Sequence, residues 1–183
     1  MPDDLCGNCL DDDADGLVDA EDPTCCGDEL RSNGTLQRGL LKLRSDGTPK
    51  LRLKATLGGS ELAVDPPLQD VTLLVRTEGQ LPLCVQLAAG SFSQHGRRFR
   101  YKGPKNETGA LRRVVIPVTA NGAVRFKALG PSMTFPIDES ASQLSVRITV
   151  GFRSPDESAT PGQCSTMSAE LQKRGRAYRG KGS

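Results

Sequence analysis

Tryptophan is absent from this 183-residue chain, and five Phe and two Tyr are its only aromatics. A core must therefore be assembled from Leu, Val and Ile. A conventional sugar-stacking platform and an aromatic stripe for nucleic-acid bases are both poorly supported. Histidine occurs once, as His95 in Ser93-Gln-His95-Gly-Arg-Arg, which reads as a surface loop. No nucleophile elbow, phosphate loop or His-Glu-x-x-His motif accompanies it, so the expectation is a protein that is not an enzyme. No apolar run approaches the ~20 residues of a membrane-spanning helix. Met1-Pro2-Asp3-Asp4 has neither the basic nor the apolar region of a signal peptide, so any secretion is expected of a mature or longer chain. Lys and Arg are missing from residues 1–29, which carry eleven of the 22 acids, so the other eleven acids face all 24 bases. An acidic head of −11 thus precedes a basic body of +13.

Three parts follow from these shifts: a head (1–29), a body (30–172) and a tail (173–183). The tail, Lys173-Arg-Gly-Arg-Ala-Tyr-Arg-Gly-Lys-Gly-Ser183, is basic and glycine-rich and is expected to be disordered. The body lacks a helical period of ten residues and alternates apolar and polar residues instead. The clearest runs are Leu51–Leu57, Val71–Val75, Leu83–Leu87, Val114–Val118, Val124–Ala128 and Leu144–Phe152, with weaker ones at Leu41–Arg44, Phe99–Lys102 and Met167–Leu171. Asn121-Gly122 predicts a tight type I′ hairpin. Seven to nine such strands predict an antiparallel β-sandwich, with a partly open barrel as the alternative and the strand order left open.

Six cysteines divide into Cys6, Cys9, Cys25 and Cys26 in the head and Cys84 and Cys164 in the body. Their even number predicts disulfides and an oxidising compartment, and hence a secreted or cell-surface protein. Zinc and iron–sulfur sites are disfavoured by the lone histidine and by the adjacency of Cys25 and Cys26. Cys6 and Cys9 are expected to pair with Cys25 and Cys26, in either order, which stabilises the enclosed loop by ~3 kcal/mol. Cys84 and Cys164 share the outward strand phase and are expected to bridge neighbouring strands.

Between the head cysteines lies Asp11-Asp-Asp13-Ala-Asp15-Gly16-Leu17-Val18-Asp19-Ala-Glu21-Asp22. Overlaid on a twelve-residue calcium loop, Asp11, Asp13 and Asp15 fill positions 1, 3 and 5, with Gly16 at the turn. Leu17 offers its carbonyl at 7, Asp19 stands at 9 and Asp22 at 12. Alternate residues on a tightly curved loop aim at one point, and seven carboxylates between Asp11 and Asp22 suit a hard cation wanting six to eight oxygens. The expected ligand is Ca²⁺. Asp22 replaces the usual bidentate Glu, so the site is weaker or differently shaped, and Glu21 is a substitute ligand.

Residues 6–26 as a whole resemble the metal-binding repeat of MopE-type bacterial surface proteins, and more loosely the aspartate loops of thrombospondin type 3 repeats and dockerins. The resemblance carries over Asn8, Asp11, Asp13, Asp15, Gly16 and Asp19, with a closing cysteine at Cys25 or Cys26. It implies calcium binding in a secreted multidomain protein. Cys9 stands where Gly is usual, Ala14 where Cys is common, and the closing cysteine is doubled, so the pairing does not carry over.

The expected role is that of a structural or accessory module, with calcium stiffening the head and its junction to another domain of a longer chain. Outward strand positions are rich in bases, chiefly Arg52, Lys54, Arg125, Lys127 and Arg147. These either cover a solvated face and discourage edge pairing or form a basic face for an anionic polysaccharide or other surface polymer. A third use is internal, with the acidic head docked on the body. Asn33-Gly-Thr35 and Asn106-Glu-Thr108 match glycosylation acceptors, a triplet that arises often by chance.

Overall fold

Period-two alternation becomes strand throughout the body. The computed structural model describes residues 6, 8–12, 14–58, 62–105, 107–155 and 162–182, so the candidate ligand Asp13 and the acceptor Asn106 lie outside the described residues. Twelve strands run β1 (Arg31–Asn33), β2 (Thr35–Leu43), β3 (Pro49–Thr56), β4 (Asp70–Thr77), β5 (Leu83–Leu87), β6 (Phe92–His95), β7 (Arg98–Lys102), β8 (Arg113–Pro117), β9 (Arg125–Gly130), β10 (Gln143–Arg153), β11 (Gln163–Arg174) and β12 (Ala177–Gly180). They form one curled sheet, a half-barrel, in the order β5-β4-β10-β11-β12-β2-β3-β9-β8-β7-β6. Every neighbouring pair in that path is antiparallel, and β1 joins β11 in parallel off the path.

Inward residues of the alternating runs meet in one core. Leu51, Leu53, Val71, Leu73, Val114, Ile116, Phe126, Val146, Ile148 and Phe152 are all buried there. Leaving water at roughly 1.5–3 kcal/mol per large aliphatic or aromatic side chain, they supply the main favourable term. Two strands break the one-sided pattern. On β4 the outward residues Thr72 and Leu74 are buried as well, and on β10 both faces are covered from Ile148 to Phe152. Val18, Ala20, Cys26, Leu74 and Cys164 form a second, smaller cluster on that outer face. Gly151 makes room for it, since a Cβ there would stand 3.1 Å from the Ala20 Cβ and 3.3 Å from the Cys164 Sγ. The acidic head is therefore a cap on the outside of β4, β10 and β11.

The tail departs from expectation. Lys173 and Arg174 finish β11, and β12 pairs with β11 on one side and β2 on the other. Ala177 and Tyr178 are fully buried, and the Tyr178 hydroxyl donates to the carbonyls of Asp138 and Ala141 at 2.9 and 3.0 Å. An apolar pair inside the basic, glycine-rich stretch orders it, because β12 pairs with both β11 and β2 and so joins the two longest stretches of sheet. The Asn121-Gly122 turn also differs. Gly122 N–H donates to Thr119 O and Thr119 N–H to Ala123 O, with positive φ at Gly122 only. That is a type I turn closed by a glycine bulge, the common three-residue hairpin.

Candidate functional site

The head is pinned covalently in three places: Cys6–Cys25, Cys9–Cys84 and Cys26–Cys164. The first is one of the pairings expected within the head. The other two correct the expectation, because they run from the head to β5 and β11. Cys84 and Cys164 do face outward, but β4 and β10 stand between their strands. Three strand spacings of about 4.8 Å put them well beyond the ~7 Å Cα separation a disulfide tolerates. Three disulfides fit an oxidising environment.

Arginines complete the attachment. Arg76 on β4 donates from Nε and Nη2 to the Glu21 carboxylate at 2.8 and 2.6 Å, and Nη2 also reaches Gly16 O at 3.1 Å. The Glu21 side chain is only 4% exposed, so this fork is a nearly dry, charge-assisted pair. Arg31 donates to the carbonyls of Glu21 and Cys26, and Arg153 to that of Cys6. The acidic head does dock on the body, through arginines of its own flank.

Carboxylates of the expected loop fall into two groups. Asp11 accepts the N–H groups of Asp15 and Gly16 at 3.1 and 3.0 Å, and Asp15 accepts Leu17 N–H at 2.7 Å. Asp11, Asp12 and Asp15 are exposed, Leu17 is half-buried, and Gly16 turns with φ +89°. Asp19, by contrast, is buried and accepts the N–H groups of Asn8 and Cys9 at 3.1 and 2.7 Å. Asp22 is buried too and accepts both the N–H and the hydroxyl of Thr24. Glu21, the substitute ligand, is committed to Arg76. The fold thus gathers Asp11, Asp15 and Leu17 around the turn and gives Asp19 and Asp22 internal bonds. Carboxylates at 19 and 22 match a loop spacing, and only the contacts with residues 8, 9 and 24 reveal their second use.

One further grouping has the dimensions of a metal site. Cys9 Sγ, an Asp19 carboxylate oxygen and Cys84 Sγ lie within 4.8 Å of one another, close enough to hold an ion. The two sulfurs are bonded to each other, so the thiolates such a site requires exist only after reduction. Sulfur ligands also suit softer metals than calcium.

Of the basic positions, Arg52, Lys54 and Lys127 line one groove on the outer face of β2, β3, β9, β8 and β7. Arg125 lies on the same face of β9 two residues before Lys127. Arg147 does not join them: it stands on β10, opposite Arg76 and Ser168. His95 is exposed at the β6–β7 hairpin, beside Arg97 and Arg98. None of the described helices is long and apolar enough to cross a membrane. No family model, curated protein or solved structure matches the chain.

Proposed function

We propose that this chain is a non-enzymatic extracellular accessory module whose acidic head takes up calcium and is stiffened by it. The observation that carries the reading is the Asp11 turn: one carboxylate binds the N–H groups of both Asp15 and Gly16 and curls an oxygen-rich loop outward from a base held by disulfides. Hard oxygen donors of this kind suit Ca²⁺, and Mg²⁺ less, because Mg²⁺ keeps its waters. Asp11, Asp13, Asp15 and the Leu17 carbonyl would hold the ion. Asp19 and Asp22 fix the loop's base rather than serving as the main ligands. The sulfur-containing group at Cys9, Asp19 and Cys84 plays no part in calcium binding.

The two groups of carboxylates make the reading testable. Calorimetric titration of calcium into oxidised protein should give about one equivalent of binding, with a melting temperature raised over that in EDTA. Asp11→Asn and Asp15→Asn should lose the heat while melting normally in EDTA. Asp22→Ala should keep the stoichiometry but lose about 1–2 kcal/mol of stability, because two donors on Thr24 lose their partner. No heat and no calcium-dependent shift in the unmutated protein would overturn the proposal.

A further inference from the structure

Away from the head, on β2, β3, β7, β8 and β9, the sheet carries a second feature that calcium binding leaves unused. Strands β2, β3, β9, β8 and β7 form a groove of about 430 Å³ on their outer face. Strand register puts Arg38 beside Lys54, Lys54 beside Lys127, Lys127 beside Val115 and Val115 beside Arg100. One row across five strands therefore holds four cations and a valine. In the next row Leu129 lies between Arg52 and Arg113. Arg98 adds a seventh cation, and among the described residues no carboxylate lines the groove.

Two ordinary explanations fail here. Lys and Arg guard exposed edges, but β3, β9 and β8 each have a strand on both sides. A solvated face mixes both signs of charge, whereas like charges set directly opposite one another, as Lys54 and Lys127 are, lower stability. The described carboxylates of the head do not relieve the repulsion: Glu21 is held by Arg76 on β4, Asp19 lies beside Cys84 on β5, and none of them lines the groove. The ion pairs among the described residues are Arg44–Asp46 and Arg76–Glu21, and none of the seven groove cations takes part in either. None of the seven side chains has an internal hydrogen-bond partner among the described residues either, and Arg100 Nε is buried without one. The crowding reaches the next outward residue of β3, two positions away: the positive charge of Arg52, with burial and Lys42 behind it, holds the Lys50 ammonium below its ordinary range. The floor is apolar, with Val115 only 9% exposed.

We infer that this groove binds a linear acidic polysaccharide, with its cations on the polymer's carboxylate or sulfate groups and Val115 and Leu129 beneath the sugar rings. Strands about 4.8 Å apart and alternate residues about 6.6 Å apart place neighbouring positive charges at intervals of roughly 5–10 Å. That spacing suits a chain with one anion on each sugar or on every second sugar. No aromatic side chain lines the groove. A single-stranded nucleic acid would therefore find phosphate contacts but no stacking platform.

Affinity is measured on oxidised protein in EDTA, so that the calcium loop has no influence. The probes are heparin (sulfate and uronate), polygalacturonate (carboxylate alone), dextran (neutral) and single-stranded DNA. Binding to at least one acidic polysaccharide, none to dextran, and weakening with salt is the expected pattern. Lys54→Glu with Lys127→Glu should weaken binding about tenfold or more, and the milder Lys54→Gln/Lys127→Gln pair should weaken it less. Arg147→Glu with Arg174→Glu, an equal charge change outside the groove, should leave it within about threefold. The Lys54→Gln/Lys127→Gln variant should melt no lower than the unmutated protein, because it removes the like-charge pairs of Lys54 with Arg38 and with Lys127. Heparin against polygalacturonate separates sulfate from carboxylate recognition. Absence of binding to both, equal loss in the two double charge reversals, or tighter binding to DNA would overturn the inference. So would self-association abolished by the groove variants, which would assign the groove to the acidic head of a second copy.

Discussion

Replacing Cys26 and Cys164 together by Ala is expected to cost about 3–5 kcal/mol, measured by denaturant unfolding under non-reducing conditions. The bridge spans 138 residues of sequence. By chain entropy alone a loop of that size contributes ~5 kcal/mol. The other two disulfides already restrict the unfolded chain, which reduces the increment. Both sulfurs also pack with Leu74, Val18 and Ala20, so alanine leaves a small void as well. The Cys6–Cys25 bridge closes only 19 residues, and its removal is expected to cost about 2–3 kcal/mol. The order of the two losses is the useful result: it separates a head sewn to the barrel from a head stapled to itself. Far-UV dichroism should change little in either variant, since the long antiparallel ladders of the sheet pair residue by residue without either bridge.

Tyr178→Ala should be nearly as damaging, at about 3–5 kcal/mol. The ring is fully buried, the hydroxyl serves two carbonyls of the segment that leads into β10, and the Lys173 ammonium lies 5.8 Å from the ring centre. Tyr178→Phe isolates the polar part and should cost about 1–2 kcal/mol. The rest of the alanine loss is packing at the place where β12 joins β11 to β2. An unchanged unfolding midpoint in Tyr178→Ala would mean that the tail is frayed, as its composition alone suggests.

Much of the barrel is legible in the chain because its signals are local. Leu144, Val146, Ile148, Val150 and Phe152 alternate without a break and form the inward face of β10. The same period identifies β3, β8 and β9. What stays hidden depends on partners distant in sequence. Leu74 departs from the alternation of β4, and Gly151 from that of β10; both mark a sheet covered on its second face, yet neither says by what. The outward phase of Cys84 and Cys164 is correct in the sequence, but phase carries no information on strand order, and strand order decides which sulfurs can meet. Asp19 and Asp22 fit a ligand spacing, and their competing bonds lie within the head, Asp19 closing on residues 8 and 9 and Asp22 on Thr24 two residues ahead. Basic composition hides β12, for which the Ala177-Tyr178 pair is the only local sign. Arg52, Lys54, Arg125, Lys127 and Arg147 share an outward phase that allows a basic face, but only the register brings Arg52, Lys54 and Lys127 into one groove and leaves Arg147 out of it.

Both functional readings depend on where the head is held. A head fixed over β4, β10 and β11 presents the exposed Asp11 turn to solvent and leaves the basic groove on β2, β3, β7, β8 and β9 open. Non-reducing proteolysis followed by mass spectrometry of the linked peptides tests that placement directly. The expected map is Cys6 with Cys25, Cys9 with Cys84 and Cys26 with Cys164. A map with both Cys9 and Cys26 paired inside the head, and Cys84 linked to Cys164, would contradict it, and would free the acidic head to reach the groove.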